Sequence, residues 1–117
     1  MLNREGLKPP PINLNTMAHR IYNYNGQDVY LETNTYAKNG ALAVCMCTPD
    51  GELYDVITTN LGNRLQSSSM AFLDVNNHPD ICKWMEDNGL AAPMYLSMKS
   101  GFVSYPLYTI FTKRFEE

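Results

Sequence analysis

The cysteines are the residues of this chain whose type and spacing first suggest chemistry. Cys45 and Cys47 stand two positions apart, and Cys82 lies far from both in the sequence. Residues two apart in a strand point the same way about 7 Å from each other, which is too far for an unstrained disulfide. A tetrahedral metal site would need more ligands than the spacing and the chain's two histidines supply. We therefore predict packed thiols, no metal and no cofactor.

Two groupings of carboxylates with histidines could support acid–base chemistry. Asp74 and His78 flank a tight turn, although turns and helix caps select the same residue types. Glu32 and Asp55 are predicted on one sheet face, where they could form a carboxylate pair. Solvated strand carboxylates explain the second pattern more simply, and no nucleophile is predicted beside the first. The sequence therefore favours a non-enzymatic protein; the alternative is a small enzyme or ligand-binding module that uses Glu32, Asp55 and His19.

Composition narrows the class of protein. With 117 residues, 44% of them hydrophobic and 18% charged, the chain can form one domain without disulfides. A net charge of −3 argues against electrostatic binding to nucleic acid or to an anionic membrane. Three cysteines make no disulfide framework and nothing at the N-terminus resembles a signal peptide, so a reducing cytoplasm is expected. No apolar run approaches the roughly 20 residues of a membrane span. A nucleic-acid-binding role would require the basic residues to gather on one side: Arg20, Lys38, Arg64, Lys113 and Arg114.

Strong turn signals organise the first half of the chain. Residues 1–16 include three consecutive prolines and predict a flexible arm, followed by a single α+β domain over residues 17–117. Asn25-Gly26 and Asn39-Gly40 are typical of two-residue hairpin turns. Gly51, after Pro49 and Asp50, suits the left-handed residue of a three-residue loop. These turns predict a four-stranded antiparallel meander with strands at about 19–24, 27–38, 41–48 and 52–60.

The same turns predict which side chains share a face of the meander. The expected pairs are Tyr22 with Val29, Thr35 with Val44, and Val44 with Val56. Steps of two from these pairs place one apolar set together: Tyr22, Tyr24, Val29, Leu31, Leu42, Val44, Met46, Tyr54 and Val56. The opposite face is predicted to be polar with tyrosines and small residues: His19, Asp28, Tyr30, Glu32, Asn34, Tyr36, Ala43, Cys45, Cys47, Asp55 and Ile57.

This second face allows two interpretations. An antiparallel sheet with one solvated face has such a pattern without any function. Tyrosines among small residues also suit recognition, because tyrosine offers rigid amphipathic contact area. The residues predicted to bind a partner are Tyr30, Glu32, Asn34, Tyr36 and Asp55.

The second half of the chain predicts one principal helix on the apolar face of the sheet. Pro79 suits a first helical turn, with His78 as the N-cap and Asn77 as the alternative. The apolar stripe and the left-handed C-terminal ending consist of Ile81, Trp84, Met85, Gly89 and Leu90. A loop over 62–69 and a short strand near 70–75 precede the helix, and an irregular segment or short strand over 94–98 follows it. The last strand is expected within 102–115, with an edge position or a bulge at Pro106, which cannot donate to a ladder.

Four segments resemble a small bacterial family of unknown function whose members tend to be carried on conjugative transposons and related mobile elements. They are residues 59–62, 72–79, 88–91 and 100–108, and the likeness covers roughly residues 19–111. The resemblance implies a bacterial cytoplasmic protein and assigns no catalytic or binding residues. Together with the residue patterns, it favours an accessory protein that binds a protein partner, for example as a homodimer, through the tyrosine-bearing face or the Pro106 edge.

Overall fold

Two antiparallel sheets of four strands each and one α-helix make up residues 19–62 and 68–116, which the computed structural model describes. The first sheet contains β1 (Tyr22–Tyr24), β2 (Gln27–Thr35), β3 (Leu42–Cys47) and β4 (Leu53–Val56). The rest comprises β5 (Thr58–Thr59), β6 (Met70–Leu73), α1 (Ile81–Asp87), β7 (Ala91–Ser100), β8 (Val103–Ile110) and a 3-10 helix (Thr112–Glu116). The α+β class is confirmed. The predicted arm over 1–16 and most of the predicted loop over 62–69 lie outside the described residues.

The first hairpin forms as its turn sequence predicts. Asn25 and Gly26 both have positive φ, 51° and 90°, as a type I′ turn requires. Tyr22 consequently pairs with Val29, which confirms the predicted register. The first sheet has the strand order β1-β2-β3-β4, so the meander topology is also confirmed.

The second hairpin has a different register from the predicted one. Val44 pairs with Thr33 rather than with Thr35, because the loop contains four residues instead of two. The Tyr36 N–H donates to the Ala41 carbonyl at 2.9 Å and closes the loop. A shift of two residues preserves the alternation of side chains. The apolar set from β1 to β3 therefore remains in the core as predicted.

A β-bulge overturns the predicted faces of the fourth strand. Val56 pairs with Cys45 and Asp55 with Met46, yet Leu53 pairs with Cys47, so Tyr54 is an extra residue. This odd shift turns Val56 away from the main core towards the cysteines. Ile57, predicted on the polar face, is instead fully buried in the main core. Tyr54, predicted in the core, is 38% exposed.

Ile57 is also where the chain passes from one sheet to the other. Its N–H donates to the Val44 carbonyl at 3.1 Å, and its carbonyl accepts from the Asp74 N–H at 2.9 Å. The strand predicted over 52–60 is thereby divided into β4 and β5, and β5 begins a second sheet with the order β5-β6-β8-β7. Two sheets thus replace the single predicted sheet.

The helix α1 packs against the core through Ile81 and Met85, which are both fully buried. Its ending is the predicted one: Gly89 has φ 68°, and the Leu90 N–H donates to the Met85 carbonyl at 2.8 Å. Its beginning differs from the prediction, because Asp80 occupies the N-cap without a capping side-chain hydrogen bond.

The C-terminal strands differ most from their prediction. β7 runs for ten residues where only a short or irregular strand was expected. β8 ends at Ile110, before the 3-10 helix, and lies inside the sheet between β6 and β7. The prediction of an edge position or a bulge at Pro106 is confirmed: β7 carries a bulge opposite this part of β8, and from Val103 to Pro106 the other side of β8 has no partner strand in the described chain.

Candidate functional site

The hairpin formed by β7 and β8 carries an exposed apolar surface, which we call the hairpin surface. It consists of Met94, Tyr95, Leu96, Met98 and Phe102. Tyr95 is 90% exposed, Leu96 63% and Phe102 fully exposed. Isolated exposed apolar residues are ordinary, but a cluster of them on one element marks an interaction site.

The hairpin is exposed because its outer half has no third strand in the described chain. β6 pairs with β8 only from Leu107 to Thr109. Between Val103 and Pro106, β8 pairs with β7 alone. A two-stranded ribbon has little core of its own, and residues 94–100 of β7 are all exposed, whereas Val103 and Tyr105 of β8 are half-buried.

The ladder is interrupted at the base of this outer half. Pro93 pairs with Tyr108 and Ser97 with Pro106, so that three residues of β7 face one residue of β8. Pro106 has no N–H to offer the ladder at this point. Tyr95, the middle residue of the bulge, has φ 59°. This left-handed conformation is unfavourable for a bulky L-residue, and such strain clusters at binding sites.

An open groove of about 470 Å³ lies beside the bulge. Its apolar lining includes Pro93, Leu96 and Leu107, and its carboxylate is that of Glu86 from α1. The Tyr108 hydroxyl donates to Glu86 Oε2 at 2.6 Å, and burial together with this bond raises the pKa of Tyr108. The groove is therefore a depression of mixed polar and apolar lining with one carboxylate at its wall.

A second cluster centres on His78, which is 8% exposed. The Tyr24 hydroxyl donates to Asp80 Oδ1 at 2.8 Å and lies 3.3 Å from His78 Nδ1. On the other side of the ring, Asp55 Oδ2 lies 2.9 Å from Nε2 without the alignment of a hydrogen bond. The Asn25 amide donates to Asp80 at 2.9 Å, and this bond and that of Tyr24 lower the pKa of Asp80.

The number of protons that the side chains can donate determines how the hydrogen bonds of this cluster are arranged. Tyr24 gives its single hydroxyl proton to Asp80, so its oxygen can only accept from Nδ1 of His78. On the other side of the ring, Nε2 faces the Asp55 carboxylate. The cluster thus joins β1, β4 and the turn before α1 across an open groove of about 680 Å³. No serine, threonine or cysteine is among the described residues that line this groove. We therefore interpret the cluster as a structural link between these elements, and we call it the His78 tie.

The proposed Asp74–His78 side-chain pair does not form. The Asn77 amide donates to Asp74 Oδ2 at 2.7 Å, and the His78 N–H donates to the Asp74 backbone carbonyl at 2.9 Å. Asp74 therefore shapes the turn, as capping and turn chemistry predicted, while the His78 ring faces Asp55.

The structure separates the residues predicted to bind a partner. Glu32 and Asn34 pair with Cys45 and Ala43 in the ladder between β2 and β3. Asp55 lies at His78 instead, so it shares no face with the others. The two tyrosines of the set, Tyr30 and Tyr36, are each only 8% exposed.

The alternative site of Glu32, Asp55 and His19 is not assembled either. The His19 ring stacks on Tyr30 with ring centroids 3.9 Å apart. Burial raises the pKa of Tyr30 to about 12. Asp55 is held at His78, on the other side of the first sheet from Glu32. The predicted carboxylate pair is therefore wrong in its geometry.

The basic residues are partly brought together. The Arg20 N–H donates to the Phe115 carbonyl at 3.1 Å, which places Arg20 beside the 3-10 helix of Lys113 and Arg114. Both arginines lie over aromatic rings of this chain. Lys38 is in the loop after β2, and Arg64 lies outside the described residues.

The cysteines form no disulfide, and burial raises the pKa of Cys47 to about 12. We expect a thiol reagent at pH 8 to modify half-buried Cys82 first, and Cys45 and Cys47 only as the protein unfolds. The measurement is the time course of labelling with and without urea. A Cys82→Ser variant should lose the early phase. Simultaneous labelling of all three cysteines without urea would contradict the burial.

Two general features complete the description. Across residues 19–62 and 68–116, no three His, Cys, Asp or Glu side chains converge as a metal site requires. Within the same ranges, no helix has the length and apolar character to cross a membrane.

Sequence reasoning pointed to this hairpin only through the Pro106 edge, and it missed the exposed residues of the hairpin surface. The available signal was composition: Lys99 is the only charged residue between positions 91 and 110. Two apolar stretches on either side of a Ser100-Gly101 turn predict a hairpin, but composition does not reveal whether a third strand covers it.

Comparison with known proteins identifies one family. A domain of unknown function, DUF4313, matches residues 30–117. Neither the curated proteins nor the solved structures include a match to the chain.

Proposed function

The chain belongs to the DUF4313 family of unknown function, and we propose that it is a non-enzymatic protein that binds a protein partner through the hairpin surface. The observation that carries this proposal is the exposure of Tyr95, Leu96 and Phe102 on one projecting ribbon. Large aromatic and aliphatic side chains of this kind act as anchors because a partner's pocket can remove them completely from water.

The bulge makes side chains, rather than an added strand, the main means of recognition. Pro93, the bulge and Lys99 are the devices by which edge strands avoid pairing with other strands. Only Ser97 to Ser100 remain as a short regular stretch of β7 beyond the bulge. A partner would therefore gain most from the exposed side chains and little from ladder hydrogen bonds.

The cellular setting is a further part of the proposal. The likeness of residues 59–62, 72–79, 88–91 and 100–108 to proteins of conjugative transposons supports an accessory role on a bacterial mobile element, in the cytoplasm. Induction of the protein together with transfer genes of its own element would be the expected behaviour.

The binding proposal can be tested by photo-crosslinking in the cells that produce the protein. A photoreactive phenylalanine analogue replaces Tyr95 in one variant and Ile21, which is 48% exposed outside the hairpin, in another. We expect a discrete protein adduct from position 95 and none of the same mass from position 21. Equal adducts from the two positions, or none from position 95, would contradict the proposal.

Affinity for the captured protein then tests the anchor directly. Leu96→Ser should weaken binding by about tenfold or more, because burial of an interface anchor is lost. Ile21→Ser is the matched control, since it removes a similar exposed aliphatic side chain elsewhere. Both variants should keep their thermal stability, because neither side chain is buried in the core.

A further inference from the structure

The hairpin surface carries a protruding side chain and a depression, which are the two sides of a possible contact between hairpins. Phe102 is fully exposed at the tip, and the 470 Å³ groove beside the bulge is at the base. The depression is open and lined in part by Pro93, Leu96 and Leu107, and it is large enough for one aromatic side chain. One surface thus offers both halves of an apolar contact.

The spacing of these features suits a pair of antiparallel hairpins. β7 continues for three residues beyond Ser97, which lines the groove, and this places the turn that holds Phe102 roughly 10 Å farther along the hairpin. If two hairpins lie antiparallel about a two-fold axis, the tip of each reaches the base of the other. Both contacts then form at once, as a symmetric interface requires.

The charges are complementary in the same arrangement. Lys99 is the only charge between positions 91 and 110, and it lies between the tip and the base. Glu86 is the carboxylate that lines the groove, and the Tyr108 hydroxyl donates to its Oε2 at 2.6 Å. Each chain has a net charge of −3, so a hairpin free of acidic residues is a favourable place for two copies to approach.

From these features we infer that the occupant of the hairpin surface is a second copy of this chain. Each Phe102 enters the other copy's groove, and each Lys99 pairs with the other copy's Glu86. This inference rests on the proposed function, because it names the partner of the same hairpin surface.

Sedimentation equilibrium of the full chain tests the inference. The wild type should show a concentration-dependent dimer, and Phe102→Ser should weaken its association by about tenfold or more. Ile21→Ser should leave the association unchanged. A wild type that stays monomeric up to roughly 1 mM would overturn the second copy as partner. Equal weakening by the two serine variants would overturn the role of Phe102.

A charge exchange separates this interface from any other dimer. Lys99→Glu and Glu86→Lys should each weaken self-association by about fivefold or more, since like charges then meet twice. Mixing the two variants restores both opposite-charge pairs, so a heterodimer of nearly wild-type affinity is expected. General damage to the fold cannot produce this recovery. Failure of the mixture to associate, with a wild type that dimerises, would overturn the proposed arrangement.

The two proposals fail in different ways. If the wild type is monomeric while position 95 crosslinks to another protein, the second copy is wrong and protein binding through the hairpin stands. If the wild type is monomeric and position 95 crosslinks to nothing, both proposals are wrong.

Discussion

Met85→Ala should lower the free energy of unfolding by about 2–5 kcal/mol, because it removes a fully buried side chain from the contact between α1 and the core. The loss combines the transfer of the missing atoms to water with the cavity left behind. Little relaxation can fill that cavity, since Leu90, Leu73 and Ile81 around the same core are also fully buried. Equilibrium unfolding in urea, followed by circular dichroism, measures the change.

The matched control is Lys83→Ala on the same helix. The Lys83 side chain is 81% exposed, and its ion pair with Asp87 at 2.7 Å lies in solvent. We expect little change in the free energy of unfolding for this variant, because a solvent-exposed ion pair contributes little to stability. Comparable losses from Met85→Ala and Lys83→Ala would contradict the placement of α1 with Met85 towards the core.

Asp55→Ala should destabilise the fold by about 1–3 kcal/mol, because the buried His78 ring then loses the carboxylate at its Nε2. His78→Leu should also destabilise, since it leaves Asp55 and Tyr24 without the ring between them. The exposed Asp28 in the same meander is the control, and Asp28→Ala should change stability by less than about 0.5 kcal/mol.

The double variant determines whether the two residues act together. If Asp55 and His78 contact each other, the free energy of unfolding lost in the Asp55→Ala/His78→Leu variant should be smaller than the sum of the two single losses by about 1 kcal/mol. If the losses of unfolding free energy measured in urea are additive, Asp55 of β4 and His78 of the turn before α1 do not stabilise the fold together, which would contradict this prediction.

These predictions separate stability from recognition. Met85 and His78 are buried and hold the sheets and the helix together, whereas Leu96 and Phe102 are exposed and contact little of the body. Variants of the first pair should unfold more easily and associate normally while folded. Variants of the second pair should keep their stability and lose association.

Local sequence determined the elements whose geometry depends on a few adjacent residues. Asn25-Gly26 specifies a type I′ turn because few residues tolerate positive φ at both positions. Gly89 likewise specifies the helix ending, since its φ of 68° has no steric penalty without a Cβ. These two turns, together with the alternation along β1 to β3, establish the α+β class and most of the core.

Tertiary structure decided the features that depend on the competition between distant groups. Asp80 would suit a first helical turn, but Tyr24 and Asn25 from the first hairpin take its carboxylate. One extra residue at Tyr54 transfers Asp55 from the predicted polar face to His78. A bulge has no strong sequence signature, because it follows from how two strands and the layer behind them fit.

The candidate site belongs to the second group. The sequence shows the apolar residues from Met94 to Phe102, but a strand covered by a neighbouring strand would have the same composition. Only the pairing pattern shows that β6 stops beside Leu107 and leaves the outer hairpin exposed. Sequence thus determined which residues are apolar, and the tertiary structure decided which of them remain in water, because burial is a property of neighbours that are distant in the chain.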